Sequence, residues 1–501
     1  MTRQIRYIII TVCIIAVLGV VLLLIKFLPN GKTPTSSSSS SSSDSSAKLT
    51  TIDTGNVVTV HVVNSNGSYT IRNIGSASSS SGSALTWTVD ELSAYPLSQS
   101  SIINIVDEVT TLTASQIVAQ NGSSNDQYGL ATPKATVDVT TKDGKTITLI
   151  VGNTTPFKNG YYAMKKGDNN IYIISTVDGD DFSSSSKKLI DLSLSTLDSS
   201  KLNLLTNMQF AGTSHQTPIK LAIDPSKVSS YSATSDSNGQ IRAPTYLVVS
   251  PGSYQTNTTP MNTLVNNMIS LNATDVVSLD TSDKTLSSYG LLKPANTFTY
   301  TYDKKDYTVS FGNTFTKDTT EYIYLMVNGK NIVYDIPTSS VSYYNYQLMD
   351  FVSGGLVFTA PQIDTLKTVT VTDGTNTWKY DLSGTSDALK VTSGSKTINT
   401  AQFRNYYQQL CYVQPSGTAT RTNDSKLLCR ITFESRDASV SNEVVEFVTL
   451  PDATNLSAID AYRAACVVNG NSDFYVKKSQ VVSIIQYSQD IVDGKTIPAP
   501  F

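Results

Sequence analysis

Tyr128-Gly129-Leu130-Ala131-Thr132-Pro133 returns as Tyr289-Gly290-Leu291-Leu292-Lys293-Pro294, and each copy leads into a strand hairpin and a Gly-Asn pair. A block that occurs twice bears on architecture before any chemistry is read, because an internal duplication means that one supersecondary unit has been copied. Outward from the block, Ile102, Ile105, Val106, Val109 and Leu112 recur as Met261, Leu264, Val265, Met268 and Leu271, each displaced by 159 without a gap. The spacing is that of one apolar helical face, so the copies keep a buried side and let the exposed side drift. Trp87 maps by the same offset onto Tyr246, whereas Tyr128 to Tyr289 and Ile171 to Ile332 are displaced by 161. Two residues therefore entered between helix and signature.

A third, worn copy comes next. Thr377-Trp378-Lys379-Tyr380-Asp381 echoes Thr86-Trp87-Thr88-Val89-Asp90, and Phe403, Tyr406, Tyr407 and Leu410 repeat the spacing of the first helix. Strands are expected around 427–433, 444–449 and 474–476, but the Tyr-Gly-Leu block is missing. Turns are explicit throughout: Asn66-Gly67, Asp143-Gly144, Asn328-Gly329, Asp373-Gly374 and Asn469-Gly470 supply the positive φ that tight hairpins need. Strands joined by such short turns must be antiparallel. The expected fold is α+β, in tandem units each of antiparallel sheet plus one amphipathic helix. The signature itself reads as a structural junction. Gly129 and Gly290 permit a backbone closed to other residues, Pro133 and Pro294 block helix ahead of a strand, and the tyrosine and leucine plug the core.

The gross numbers agree with three units, since 501 residues exceed one core and a domain takes about 100 to 200. Tyr7 to Ile25 is free of charge and long enough, at about 1.5 Å per residue, to reach across a bilayer core of about 30 Å. A transmembrane helix is expected over 7–28, behind a cytoplasmic tail at 1–6; a cleavable signal has an apolar region of only about 7 to 15 residues. Residues 29–48 form a linker whose serine run, Ser36 to Ser43, behaves as a flexible spacer. The expected units are 49–205, 206–350 and a degenerate 351–490, with a tail at 491–501, and Ser76 to Ser83 is expected to be a surface loop. Setting aside Arg3, Arg6, Lys26 and Lys32 leaves a net charge of −7, which suits an extracytoplasmic domain and argues against a nucleic-acid partner. Beyond Cys13 in the span, Cys411, Cys429 and Cys466 are odd in number; free buried thiols are expected, with one bridge left open.

Chemistry is sparse. His61 and His215 lie too far apart in sequence to make a His-x-x-x-His metal pair. Ser-x-x-Lys at Ser184 to Lys187 and at Ser393 to Lys396 lacks its Lys-Thr-Gly partner. Asp178, Asp180 and Asp181 offer oxygens for a hard cation but not in EF-hand spacing, so a solvated loop is expected. Phosphate-loop and dinucleotide fingerprints are missing, and Leu450-Pro451-Asp452-Ala453-Thr454, loosely like a wall-sorting signal, lies mid-chain. No catalytic, cofactor-binding or metal residues are therefore assigned.

The run Tyr-Gly-Leu-x-x-Pro, hairpin through Asp143-Gly144, Val151-Gly152-Asn153, Tyr161-Tyr162 and Ile171-Tyr172 resembles the bacterial domain of unknown function 4340. The second copy, with Phe311-Gly312-Asn313 and Tyr322-Ile323-Tyr324, is similar, and the two span Thr86 to Ser339. The resemblance implies a membrane-anchored extracytoplasmic protein, auxiliary to an ABC transporter of the gliding-motility type, with no catalytic residues to carry over. The expected function is a non-enzymatic membrane-tethered scaffold with a protein partner in such a complex. The alternative is a surface protein that binds glycan or wall polymer, suggested by the 27 tyrosines, whose faces stack on sugars.

Overall fold

The structure is a computed structural model describing residues 46–79, 82–120, 126–195, 197–215, 217–352, 358, 361–419, 421–455 and 457–499. The expected span at Tyr7 to Ile25 and the Ser36 to Ser43 spacer lie outside the described residues. Among the described residues no helix is long and apolar enough to cross a membrane.

Three large antiparallel sheets take their strands from consecutive stretches of chain, 57–174, 205–337 and 366–477, so the fold is α+β with sheet predominating. In the first sheet β1 (Val57–Asn64), β2 (Gly67–Ser79) and β3 (Gly82–Val89) meander to one edge. Helix α1 (Gln99–Thr110) then carries the chain across one face to β4 (Gln116–Ala119) on the opposite edge. A second meander, β5 (Ala135–Thr141), β6 (Thr146–Thr154), β7 (Tyr161–Lys165) and β8 (Ile171–Ile174), fills the space between β1 and β4. The other two sheets take the same path, each with one extra short strand beyond the third.

The crossover helices repeat with matching ends. α3 (Thr258–Ile269) and α5 (Thr400–Cys411) start 159 and 301 residues after α1, and each of the three has 12 residues. Their N-caps Ser98, Asn257 and Asn399 accept from backbone N–H groups of the first turn, satisfying donors a helix start leaves open. The faces inferred from periodicity are the buried ones: Ile102, Val106, Leu264, Val265, Phe403 and Leu410 are all but inaccessible. All five Asn-Gly and Asp-Gly turns place glycine at positive φ.

Other expectations need correction. Trp378 does not correspond to Trp87: Trp87 lies on the third strand of its sheet, as does Tyr246, whereas Trp378 lies on the second strand of the third sheet. The short motif around it matched by composition, since any strand with alternating aromatic and polar residues reads alike. Within the stretch expected to be a loop at Ser76 to Ser83, residues 76–79 and 82–83 are strand, since Ser76 pairs with Leu85 and Ser79 with Gly82 in β2 and β3. Backbone pairing needs only extended chain, which serine does not forbid. Each unit also holds more than one helix. α2 (Thr176–Phe182), α4 (Leu348–Val352) and α6 (Lys478–Val492) come after the last strands of the three sheets. α4 crosses the boundary expected at 350 and packs Phe351 5.1 Å from Phe210 of the second sheet. α6 runs past 490, and the expected tail packs back: Ile497 is buried and its N–H donates to Gln402 Oε1.

The adjacent pair Ile102 and Ile103 tests the helix orientation. Ile102→Ala should cost about 2–5 kcal/mol because it empties a packed site, whereas Ile103→Ala, on the exposed face, should stay within about 0.5 kcal/mol, both read by denaturant unfolding.

Candidate functional site

The repeated tyrosine junction is built on a slip in a strand. In β6 the pairing with β7 shifts between Val151 and Thr154, so Gly152 and Asn153 bulge out of the ladder. Asn153 N–H donates to the Tyr128 carbonyl at 2.8 Å, clamping the signature loop onto the bulge. The approach is closed to side chains, since a Cβ on Gly152 would sit 2.2 Å from that carbonyl oxygen. Gly129 has φ +72°, and a Cβ there would meet the Asn153 side chain at 2.5 Å. The second copy reproduces each part. The slip falls between Phe311 and Thr314, Asn313 N–H donates to the Tyr289 carbonyl at 2.8 Å, and Gly290 has φ +72°.

Leu130 and Leu291 enter the core as expected, but the tyrosines do not. Tyr128 stands half-buried on the outer sheet face, away from the helices, with its ring 4.8 Å from Tyr162 and edge-on to it. Tyr289 meets Tyr324 at 4.6 Å with its ring tilted by 57°. Around the first pair lie Ile150, Met164 and Ile173, each half-buried. Around the second, Phe315 stacks 4.5 Å from Tyr324 and 5.6 Å from Tyr322. The position of Ile173 is taken by Asp335, paired in register with Tyr324 and with Asp275. Asp335 is buried, Oδ1 lacks a hydrogen-bond partner among the described residues, and burial followed by the charge of Asp275 holds the carboxyl above its usual range. The third sheet closes the equivalent face with a small apolar cluster of its own, Val448, Leu450, Ala465 and Val467.

The residues considered for chemistry are scattered. His61 shares a hydrogen bond with Thr70, and His215 Nε2 lies 3.0 Å from the Tyr346 carbonyl on another segment. Ser184 donates to the Asp180 carbonyl while Lys187 Nζ donates to the Val277 carbonyl; Ser393 and Lys396 flank a hairpin, with Lys396 turned to the Val492 carbonyl. Asp452 closes a surface turn on Thr454. Cys411, Cys429 and Cys466 are free and buried, and burial pushes the Cys411 and Cys429 thiols up to about 12. The acidic trio lies on helix α2, not in a loop, and diverges: Asp178 accepts from the hydroxyl of the N-cap Ser175, Asp180 accepts from the Tyr161 hydroxyl, and Asp181 turns toward Lys188 and Glu108. Among the described residues no group of three or more His, Cys, Asp or Glu could hold a metal ion. Glu108 is the perturbed group that local pattern did not reveal, since its partner lies 73 residues away.

The family model described as a domain of unknown function, DUF4340, matches residues 87–243 and 247–427. The chain belongs to this family. No curated protein and no solved structure matches. Both DUF4340 matches begin in or beside the third strand of one sheet and end within the next, so the copied sequence unit runs out of phase with the folded sheet. Each match nonetheless holds one complete junction, bulge and tyrosine pair together.

Gly312 and Gly329 separate the two reasons for glycine. Gly312→Ala, driven into the Tyr289 carbonyl, should cost about 3 kcal/mol or more. Gly329→Ala, at φ +79° with nothing within 4 Å, should cost only about 1–2 kcal/mol, and thermal unfolding of the two variants reads the difference.

Proposed function

We propose that this chain is a non-enzymatic, membrane-tethered extracytoplasmic interaction protein, serving as an accessory subunit of a larger membrane complex such as an ABC transporter. The observation that carries the reading is the open outer face of the first two sheets, where the same junction presents a half-buried tyrosine pair twice. Aromatic side chains give large contact area at low entropic cost and are enriched where proteins meet. One ring of each pair stands on a strand and the other on a loop clamped to the same sheet by the Asn153 or Asn313 N–H, which holds the pair in a fixed place as a binding surface requires. The uncharged stretch Tyr7 to Ile25 and the serine spacer would hold these faces at a distance from the bilayer.

A second reading, binding of glycan or wall polymer, draws on the Phe315, Tyr322 and Tyr324 stack. It has less support, because the rings of Phe315 and Tyr324 lie face to face and cover one another, leaving fewer free faces for sugars.

Affinity isolation of the full chain from detergent-solubilised membranes tests the proposal. Transporter subunits should be recovered with it, and Tyr162→Ser with Tyr324→Ser should cut that recovery about tenfold, on the order of 1.4 kcal/mol, while circular dichroism stays unchanged. Unchanged recovery by the double variant would remove the tyrosine faces from the argument. Retention on purified wall material with no membrane partner would favour the second reading.

A further inference from the structure

Glu108 on α1 and Asp181 on α2 belong to two helices packed together over the inner face of the first sheet. Asp181 neighbours Glu108 across this helix pair, and Glu108 Oε2 is closed off from solvent with no hydrogen-bond partner among the described residues. Two ionised carboxylates cannot bond one another, since both only accept; one proton between them makes the bond. The groups around the pair do not replace that proton. Tyr69 approaches from β2, Asp178 from the first turn of α2, and Asp180 is engaged by Tyr161. Lys188, in the turn after α2, is 3.9 Å from Asp181 and mostly in solvent. A cavity of about 190 Å³ lined by Tyr69, Ser101, Asn104, Asp181 and Lys188 opens on the Asp181 side of the pair.

The repeats supply the comparison. Displaced by 159 and 161, the same two positions in the second unit are Asn267 and Ser342, and Asn267 Nδ2 donates to Ser342 Oγ at 3.1 Å. In the third unit Gln409, displaced by 301 from Glu108, donates to the Pro498 carbonyl at 3.0 Å. One joint between the crossover helix and the segment after the last strand is therefore made three times, and only in the first is it made by two acids. That joint connects to the next sheet. α2 leads into residues 186–189, where Lys187 Nζ donates at 2.9 Å to the Val277 carbonyl on the edge of the second sheet. A few residues on, Leu194 N–H donates to the Leu271 carbonyl.

We infer that one proton shared by Glu108 and Asp181 pins α2 to α1 and so holds the joint between the first two units, which tightens on acidification and loosens in alkali. Burial, followed by the charge of Asp181, pushes the Glu108 carboxyl up from 4.5 to about 8. The folded state thus keeps a proton that the unfolded chain releases near 4.5; the added stability is complete below that pH and is lost as pH rises through about 8. Tyr69, raised by its burial and by both acids, stays neutral across this window.

Amide hydrogen exchange of the full chain at about pH 6 and about pH 9, corrected for intrinsic rates, tests the inference. Protection in 176–190 and 273–279 should fall about tenfold or more between the two in the wild type. Glu108→Gln, whose amide donates to Asp181 at any pH, should remain level. Level wild-type protection, or the same fall in Glu108→Gln, overturns the inference. A transplant guards against a variant that does not fold: Asn267→Glu with Ser342→Asp should make exchange in 258–269 pH-dependent, and no such dependence counts against the shared proton.

Discussion

The edge-to-edge crossover sets the rest of this architecture. After three strands in the first sheet, and four in the other two, the chain stands at one edge and must place its next strand at the other, so a helix crosses one face and leaves the opposite face without it. A helix of 12 residues is about 18 Å long, while eight strands spaced about 4.8 Å apart are roughly 34 Å across. The crossover helix therefore covers about half of the inner face. The remainder is covered by the segment after the last strand: α2 in the first unit, the turn at Ser342 and α4 in the second, α6 and the residues beyond it in the third. Where the two covers meet, the helix position occupied by Glu108, Asn267 or Gln409 reaches across the gap. The same geometric need is met by three chemistries, and two of them are indifferent to pH.

The uncovered face explains the Tyr-Gly-Leu block. A long loop arriving from β4 has to be anchored before β5 begins, and the bulge at Gly152 and Asn153 offers an N–H that the ladder no longer uses. Glycine is required on both sides for separate reasons: Gly129 for a left-handed backbone, Gly152 because the Tyr128 carbonyl lies where a Cβ would be. The third unit lacks the block and anchors differently, with Lys426 N–H donating to the Thr449 hydroxyl and Thr449 N–H to the Lys426 carbonyl. Its outer face is then filled by Val448, Leu450, Ala465 and Val467, and no tyrosine pair stands there among the described residues.

Features with a fixed period were legible in the sequence. The 159-residue offset located the buried faces of α1 and α3, and the same face spacing located α5 even though the signature there had worn away. Positive-φ turns were equally legible, because Asn-Gly and Asp-Gly act through local sterics. Trp378 misled because a strand motif of five residues carries no information about which strand it is. The tyrosines of the signature misled because burial depends on which face of the sheet a loop crosses, and that is decided by the crossover and not by the loop. Glu108 and Asp181 depend on a contact between elements far apart in sequence, yet a trace was present. Asn267 and Ser342 occupy their places at the two offsets already measured, so both members of one contact had changed together between copies.

Sheet edges account for why the copies remain three sheets and do not fuse into one. An exposed edge strand recruits another strand unless its polar groups are used. At Trp87 on β3, the Gln99 side chain donates to the carbonyl and accepts from the N–H, taking the place of a neighbouring strand. At the corresponding edge of the second sheet a two-residue strand, Tyr254–Gln255, pairs instead, and the Tyr254 hydroxyl reaches Asp473 of the third sheet. The far edge of the second sheet gives its Val277 carbonyl to Lys187. Neighbouring units thus meet at edges through side-chain bonds and short backbone contacts such as Leu194 N–H to the Leu271 carbonyl, and not through continuous ladders. Such joints respond to small changes in free energy, of which one proton at Glu108 is an instance.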